Sequence, residues 1–201
     1  MEVVGVARSA TRTRDPDRRA KILVAAGDLI SRNGYHAVSM AEIGRDAGIV
    51  GSGIYRHFDS KAAILVALFD DIIDRLIADQ EVALAEHAGP RETLRRLVRG
   101  QAEFVVRQRA LARVYHNEIG SLPAEDQVRL RRKQRLYLEE WVHLTREAHP
   151  DLDDAVARTL VHAAVGAVQS NLFHNVGLEA DRLLDCLARA AEFVLEIAAD
   201  Q

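Results

Sequence analysis

Apolar positions recur along most of the chain with the three-to-four-residue period of amphipathic helices. The first periodic stretch places five apolar side chains on one face: Ile22, Ala25, Ala26, Leu29 and Ile30. Ala, Leu, Arg and Glu fill such stretches, and β-branched alternation is scarce, which favours helix over strand. Proline is tolerated in the first turn of a helix and disrupts its interior. The four prolines fall between the periodic stretches: Pro16, Pro90, Pro123 and Pro150.

Helix start and stop signals divide this pattern into elements. Ser39 and Glu42 form an S-x-x-E capping box, and glycines follow the ends of several stretches. The pattern predicts an all-α fold of about nine helices. These cover residues 17–33, 39–47, 51–58, 61–87, 91–107, 110–119, 124–148, 153–175 and 179–199. The helix over 124–148 carries a marked apolar stripe: Leu130, Tyr137, Leu138, Trp141 and Leu144.

Composition excludes several classes of protein. The 201 residues, 48% hydrophobic and 28% charged, suit one or two globular domains and exclude disorder of the whole chain. No apolar run approaches the roughly 18 residues of a membrane span, and no apolar segment follows the N-terminal arginines as in a secretory signal. The expected compartment is therefore the cytoplasm. The presence of a single cysteine, Cys186, excludes an internal disulfide. Because Cys186 falls in an apolar-periodic helix, we expect it in the hydrophobic core.

The net charge of −3 conceals an asymmetry along the chain. Residues 1–61 hold ten Lys/Arg and seven Asp/Glu, a balance of +3, whereas residues 62–201 hold seventeen and twenty-three, a balance of −6. The total argues against a nucleic-acid partner, but the distribution favours DNA binding confined to the N-terminal part. The predicted organisation is a flexible arm over 1–16, a DNA-binding domain over 17–61 and a larger domain over 62–201.

Two short predicted helices joined by a turn with Gly48 follow a supporting first helix, as in a helix-turn-helix. The run Ile54-Tyr55-Arg56-His57-Phe58, followed by Asp59-Ser60-Lys61, resembles the DNA-binding domain of the TetR family of bacterial transcription regulators. The resemblance covers about residues 18–70. It implies a three-helix helix-turn-helix domain, then a helical domain that binds a small effector and forms a homodimer through its last two helices. A two-fold dimer also suits an inverted-repeat operator in double-stranded DNA.

The predicted DNA contacts lie around the second short helix. Ile54 and Phe58 are four residues apart and are expected to seat this helix on Ile43. Arg56 can contact a guanine edge with two hydrogen bonds, and Ser52 can bond several base edges. The resemblance implies that five residues lie near bases: Met40, Gly51, Gly53, Tyr55 and Arg56. It places three others on phosphates: Ser39, His57 and Lys61. Ser39 and Lys61 lie at helix N-termini, which favour an anion.

The sequence departs from the family's usual pattern at three positions. Val50 stands where a serine cap is common, and Gly51 and Gly53 stand where Lys/Arg and Thr are common. Each glycine costs a helix about 1 kcal/mol relative to alanine. The glycines indicate either close approach of the backbone to DNA or weak selection at positions that contact nothing. The N-terminal arm carries three arginines: Arg8, Arg12 and Arg14. They either contact the minor groove of DNA or belong to a solvated tail.

The larger domain contains candidate residues for an effector pocket. Such pockets have mainly apolar walls with a few polar side-chain groups. The aromatic candidates, which are otherwise core residues, are Phe104, Tyr115, Trp141 and Phe173. The polar candidates are His116, Asn117, His143, His162 and Gln169. The densest basic run is either a solvated helix face or a clamp for an anionic head group such as a phosphate of coenzyme A: Arg129, Arg131, Arg132, Lys133 and Arg135. A hydrophobic or fatty acyl effector is expected, with a multidrug-like or steroid-like ligand as the alternative.

No enzyme motif emerges from the sequence, so no catalytic, metal or cofactor site is expected. His162 and His174, on one predicted helix and about 18 Å apart, cannot share a metal ion. The last two helices carry small residues suited to a dimer interface: Ala163, Ala164, Gly166, Ala167, Ser170, Ala188, Ala190 and Ala191. The sequence predicts a DNA-binding transcription regulator that acts as a repressor. The alternatives are a helical ligand carrier or enzyme with an incidental helix-turn-helix, or an interaction module that binds no DNA.

Overall fold

The computed structural model describes residues 16–49, 51–174 and 177–197, which form helices and no strand. The all-α prediction is confirmed. The α-helices are α1 (Pro16–Asn33), α2 (Met40–Asp46), α3 (Lys61–Ala85), α4 (Pro90–Arg107), α5 (Arg109–Glu118), α6 (Ala124–Ala148), α7 (Asp154–Gln169) and α8 (Ala180–Val194). Short 3₁₀ helices cover Gly51–Arg56, Ile119–Ser121 and Ser170–Leu172. Among the described residues, no helix combines the length and apolar character needed to cross a membrane.

Side-chain caps fix several of these helix starts. The predicted capping box of α2 is confirmed, because the Glu42 backbone N–H donates to Ser39 Oγ at 3.2 Å and the Ser39 N–H donates to the Glu42 carboxylate at 2.8 Å. The Ser60 hydroxyl accepts from the Ala63 N–H and so caps α3. Such caps satisfy N–H groups that have no partner inside the helix.

Tertiary hydrogen bonds end α7 earlier than the sequence predicts. The Arg109 guanidinium donates to the carbonyl oxygens of Asn171 at 2.9 Å and His174 at 3.2 Å, which holds the chain in a turn after the 3₁₀ helix. His174 therefore lies outside the helix that contains His162, and the prediction of one helix over 153–175 is wrong. The helix α8 also ends early, at Val194, and Glu196 follows it with a φ of 56°.

Two hydrophobic cores organise the molecule. The first joins α1, α2 and the 3₁₀ helix Gly51–Arg56 to the N-terminal half of α3, and it continues into Val114, Leu122 and Leu130 of the following helices and loop. The second lies among α4, α6, α7 and α8 around the fully buried Trp141. The predicted division between residues 61 and 62 thus falls at the start of α3, within a continuous core. Each large apolar side chain buried in these cores contributes about 1.5–3 kcal/mol to the stability of the fold.

Cys186 lies on the exposed face of α8, so its predicted place in the core is wrong. The core positions of this helix are taken by Leu184, Leu187, Ala188 and Ala191. The helical period places Cys186 outside that set, and apolar residues on both faces of α8 concealed this in the sequence.

An ion-pair cluster joins α3 to α6. Both carboxylate oxygens of Asp70 accept hydrogen bonds from Arg129, each at 2.8 Å, and Lys133 lies 3.1 Å from Asp70 and 2.6 Å from Asp74. Burial raises the pKa of Asp70, but the hydrogen bonds from Arg129 and Lys133 outweigh burial and hold this pKa below its ordinary value of 3.8. Two cations of the predicted basic run are thus neutralised by α3.

Replacing Asp70 with Asn is expected to lower the free energy of unfolding at neutral pH by about 1 kcal/mol, because the pair is partly exposed to solvent. The folded-state pKa of Asp70 is depressed, so its contribution is present above the ordinary value of 3.8 and is lost as the pH falls through the lowered value. Urea unfolding of both proteins between neutral and acid pH measures this difference. Asp71→Asn, which removes a carboxylate paired with Arg75 within α3, is the control. A difference that persists unchanged at acid pH contradicts the prediction.

Candidate DNA interface and effector chamber

The 3₁₀ helix Gly51–Arg56, called the recognition segment below, is held by a buried seat. Ile54 and Phe58 are 1% and 5% exposed and share the first core with the fully buried Ile43. At Gly44 a Cβ would lie 3.6 Å from the Cβ of Ile54, an ordinary van der Waals separation, so α2 and the segment are in direct contact here. This seating agrees with the expectation from the sequence.

The opposite face of the recognition segment is open to solvent. Ser52, Tyr55 and Arg56 are exposed, and Tyr55 is 54% exposed although it is aromatic. Polar and aromatic groups on a firmly seated element are what readout of base edges requires. The other predicted contact residues are exposed or half-buried around it: Ser39, Met40, Gly51, Gly53, His57 and Lys61.

Two glycines of the recognition segment have reasons in the local packing. Gly51 has a φ of 59°, a left-handed conformation that strains other residues. At Gly53 a Cβ would lie 2.7 Å from Ile49 Cγ2, which is too close for any ordinary contact. The segment is a 3₁₀ helix of six residues, shorter than the predicted helix over 51–58. Val50, and the arginines Arg8, Arg12 and Arg14, lie outside the described residues.

Lys61 has a contact that the sequence did not suggest. Its Nζ donates to the carbonyl oxygens of Tyr35 and Val38, both at 2.7 Å, and lies 4.4 Å from the centre of the Tyr35 ring. The ammonium thereby ties the connection between α1 and α2 to the start of α3. A lysine has three donors, so these two bonds leave one for a phosphate.

A chamber of about 330 Å³ lies among α3, α4, α5, α6 and α7. Four predicted pocket residues line it: Phe104, Tyr115, His116 and Gln169. Arg131, from the basic run considered as a clamp for an anionic head group, also lines the chamber. The sequence missed further lining residues from α3 and α6, whose chamber-facing positions depend on how the helices pack: Ile72, Ile73, Leu76, Gln134, Tyr137 and Leu138.

The two tyrosines of this chamber carry buried hydroxyl groups. Among the described residues, the Tyr115 hydroxyl has no hydrogen-bond partner, and burial raises the pKa of Tyr115 to about 12, so it is a donor at neutral pH. The Tyr137 hydroxyl donates to Gln101 Oε1 at 3.3 Å. The Tyr115 ring also meets the fully buried Phe69 of α3 edge to face, with 4.8 Å between centroids. A ligand in the chamber would therefore touch groups that pack against α3.

The remaining predicted pocket residues lie elsewhere. Trp141 is buried in the second core, with its ring centroid 5.9 Å from that of Tyr137. His143 is exposed on the outer face of α6, 3.4 Å from the Glu147 carboxylate, because the helical period turns it away from the chamber. Phe173 is 59% exposed, since α7 ends before it, although its ring meets His116. Asn117 is exposed as well.

His162 lines a second, outer groove of about 430 Å³ between α6 and α7. A larger depression, of about 540 Å³, lies between α1 and the junction of α4 with α5. None of the predicted pocket residues lines that depression, and ion pairs such as Asp28–Arg32 and Asp71–Arg75 occupy its edge. The apolar chamber with the unpartnered Tyr115 hydroxyl is the better ligand site.

Comparison with known proteins agrees with this architecture. Residues 22–68 match the family model for bacterial regulatory proteins of the tetR family, and residues 87–170 match the model for the tetracyclin repressor-like C-terminal domain. A seated helix-turn-helix followed by a helical ligand-binding domain defines a DNA-binding transcription regulator. The chain belongs to the TetR family.

Individual relatives are similar over part or most of the chain. The HTH-type transcriptional activator FasR of Mycolicibacterium smegmatis is 32% identical over 98 residues, which are 49% of this chain and 45% of that protein. The HTH-type transcriptional repressor KstR2 of the same organism is 27% identical over 71% of this chain and 73% of its own length. The structure of FadR from Bacillus subtilis in complex with stearoyl-CoA has a TM-score of 0.73 at 21% identity, over 90% of this chain and 99% of that one. The match to FasR thus spans less than half of that relative.

Gly53→Ala is expected to destabilise the protein by about 1–3 kcal/mol, because the new methyl group would overlap Ile49. Gly100→Ala is the matched control, since this glycine lies inside α4 with open space around its Cβ position. The control should gain up to about 1 kcal/mol from helix propensity. Thermal unfolding distinguishes the two variants, because the midpoint temperature of a chain of this size shifts by about 2–4 °C for each kcal/mol of stability. Equal shifts for both variants would show that the contact with Ile49 is unimportant.

Proposed function

We propose that the protein is a repressor that binds an inverted-repeat operator as a homodimer and is released by an apolar or acyl-type effector in the chamber. The observation that carries the proposal is the recognition segment, whose buried face seats on Ile43 while Ser52, Tyr55 and Arg56 face solvent. The positive balance of residues 1–61 supports the same assignment, because phosphate contacts supply much of the affinity for DNA.

Release follows from how the chamber is built. Ile72, Ile73 and Leu76 of α3 form part of its wall, and the N-terminal half of the same helix packs in the first core beneath the recognition segment. An effector that fits one position of α3 better than another shifts the population toward that position. The two recognition segments of the dimer are then wrongly spaced for their half-sites, and operator affinity falls.

The acyl-type effector is supported by the chamber and by one relative. The walls are mainly aliphatic and aromatic, with the Tyr115 hydroxyl as a buried donor. FadR of Bacillus subtilis was crystallised with stearoyl-CoA. Among the relatives, KstR2 is a repressor and FasR an activator, so the direction of regulation is part of the proposal.

The proposed dimer uses the outer faces of α7 and α8. On α8, Cys186, Ala190 and Phe193 form an exposed stripe at helical spacing, and Phe193 is 60% exposed. On α7, Val156 is 42% exposed. Exposed apolar stripes of this kind mark interfaces. Ala164, Ala188 and Ala191, which the sequence suggested for the interface, are buried within the protomer and pack α7 and α8 against the second core.

Operator binding is tested by fluorescence anisotropy with DNA from upstream of the protein's own gene. Arg56→Ala should lose about 1–3 kcal/mol on the operator and relax the preference at one base pair, because a bidentate base contact is removed. Lys61→Ala should weaken binding to every sequence alike. The proposal fails if the intact dimer binds no DNA specifically at low salt, and the contact assignment fails if both variants behave the same.

Phe193→Glu is expected to give a folded monomer, because it places a charge in the centre of the proposed apolar interface. Val82→Glu, at a side chain of α3 that is 62% exposed, is the control and should remain dimeric. Sedimentation velocity measures the mass, and circular dichroism checks the fold. A Phe193→Glu protein with the mass of the unaltered dimer would place the interface elsewhere.

A further inference from the structure

The chamber and the outer groove are neighbouring volumes beside α6 and α7. Five residues line both volumes: Arg131, Gln134, Leu138, Val165 and Gln169. The inner part, of about 330 Å³, is mainly apolar, whereas the outer part, of about 430 Å³, adds charged and polar side chains. A ligand that fills both parts must be apolar at one end and polar at the other.

The charges of the outer groove do not cancel. Arg158 donates to both oxygens of Glu139, at 2.6 and 2.8 Å, so this pair is neutral. Arg131 and Arg135 also line the groove and, within the described part of the chain, make no ion pair with a carboxylate. They are four residues apart on α6 and therefore share one face of the helix.

The other cations of this basic run are directed elsewhere. Arg129 and Lys133 bind Asp70 of α3, on a different side of α6. Arg132 is exposed and lines neither volume. The structure thus selects Arg131 and Arg135 from the five cations as the pair available to an anion.

We infer that the ligand is an acyl thioester of a phosphate-bearing carrier of the coenzyme A type, with its phosphates bound by Arg131 and Arg135 and its acyl chain in the chamber. This inference rests on the proposed function for the identity of the site as the effector site. Guanidinium groups bind phosphate oxygens in bidentate fashion, which suits two neighbouring arginines to a pyrophosphate. A neutral steroid would leave both arginines without an anion, and a free fatty acid offers one carboxylate where the carrier offers several phosphate oxygens.

The size of the chamber limits the acyl chain. Ligand pockets span about 300–1,000 Å³, and this chamber is near the lower end of that range. A chain of medium length therefore fits better than a long one.

Isothermal titration calorimetry tests the inference on the full-length protein. The probes are butyryl-, octanoyl- and palmitoyl-CoA, together with octanoate and coenzyme A alone. Octanoyl-CoA should bind tightest of all. Its affinity should fall at least about tenfold in the double variant Arg131→Gln/Arg135→Gln, because two charge-assisted contacts are lost. Arg132→Gln, which removes a cation of the same helix that lines neither volume, is the control and should bind like the unaltered protein. Octanoate, with a single carboxylate, should bind weakly and lose less affinity than octanoyl-CoA in the double variant.

Three results overturn the inference: octanoate binds as tightly as the thioesters, no thioester binds, or Arg132→Gln weakens binding as much as the double variant. Operator binding by the same preparations separates this inference from the proposed function. Specific operator binding without thioester binding refutes the carrier-bound ligand and leaves the regulator intact. Thioester binding that depends on Arg131 and Arg135, without operator binding, supports the ligand site and refutes the regulator.

Discussion

Helix α3 contributes side chains both to the core beneath the helix-turn-helix and to the wall of the chamber, and the rest of the structure depends on this double role. Ile64, Leu65 and Phe69 complete the core beneath the helix-turn-helix, and two turns later Ile72, Ile73 and Leu76 form a wall of the chamber. Close-packed side chains do not deform continuously, so a displacement of α3 at one end must be accommodated at the other. Phe69 makes the link direct, because its ring meets Tyr115 inside the effector domain.

The ion pairs between α3 and α6 add a second connection of the same kind. Asp70 holds Arg129, while Arg131, two residues further along, faces the chamber and its outer groove. One helix therefore carries both a clamp to α3 and the cation proposed to bind the ligand.

Local features of the fold could be predicted from the sequence, because their causes lie within a few residues. The helix Ala124–Ala148 and the capping box of Ser39 and Glu42 are confirmed as predicted. The end of α7 could not be predicted, since Arg109 holds carbonyl oxygens more than sixty residues away in the sequence. The environment of Cys186 depended on which face of α8 meets the core.

At the site, the apolar positions of Phe104 and Tyr115 followed from periodicity. The selection of Arg131 over Arg129 did not, because it depends on Asp70 of another helix, and the glycines of the recognition segment are explained only by a backbone angle and a contact with Ile49.

Coupling between chamber and recognition segment is the central claim, and linkage requires it to act in both directions. The direct measurement is calorimetric titration of octanoyl-CoA into the free protein and into the protein–operator complex. The account predicts weaker binding to the complex, by the same factor by which octanoyl-CoA weakens operator affinity. Equal affinity for the free and the operator-bound protein would contradict it.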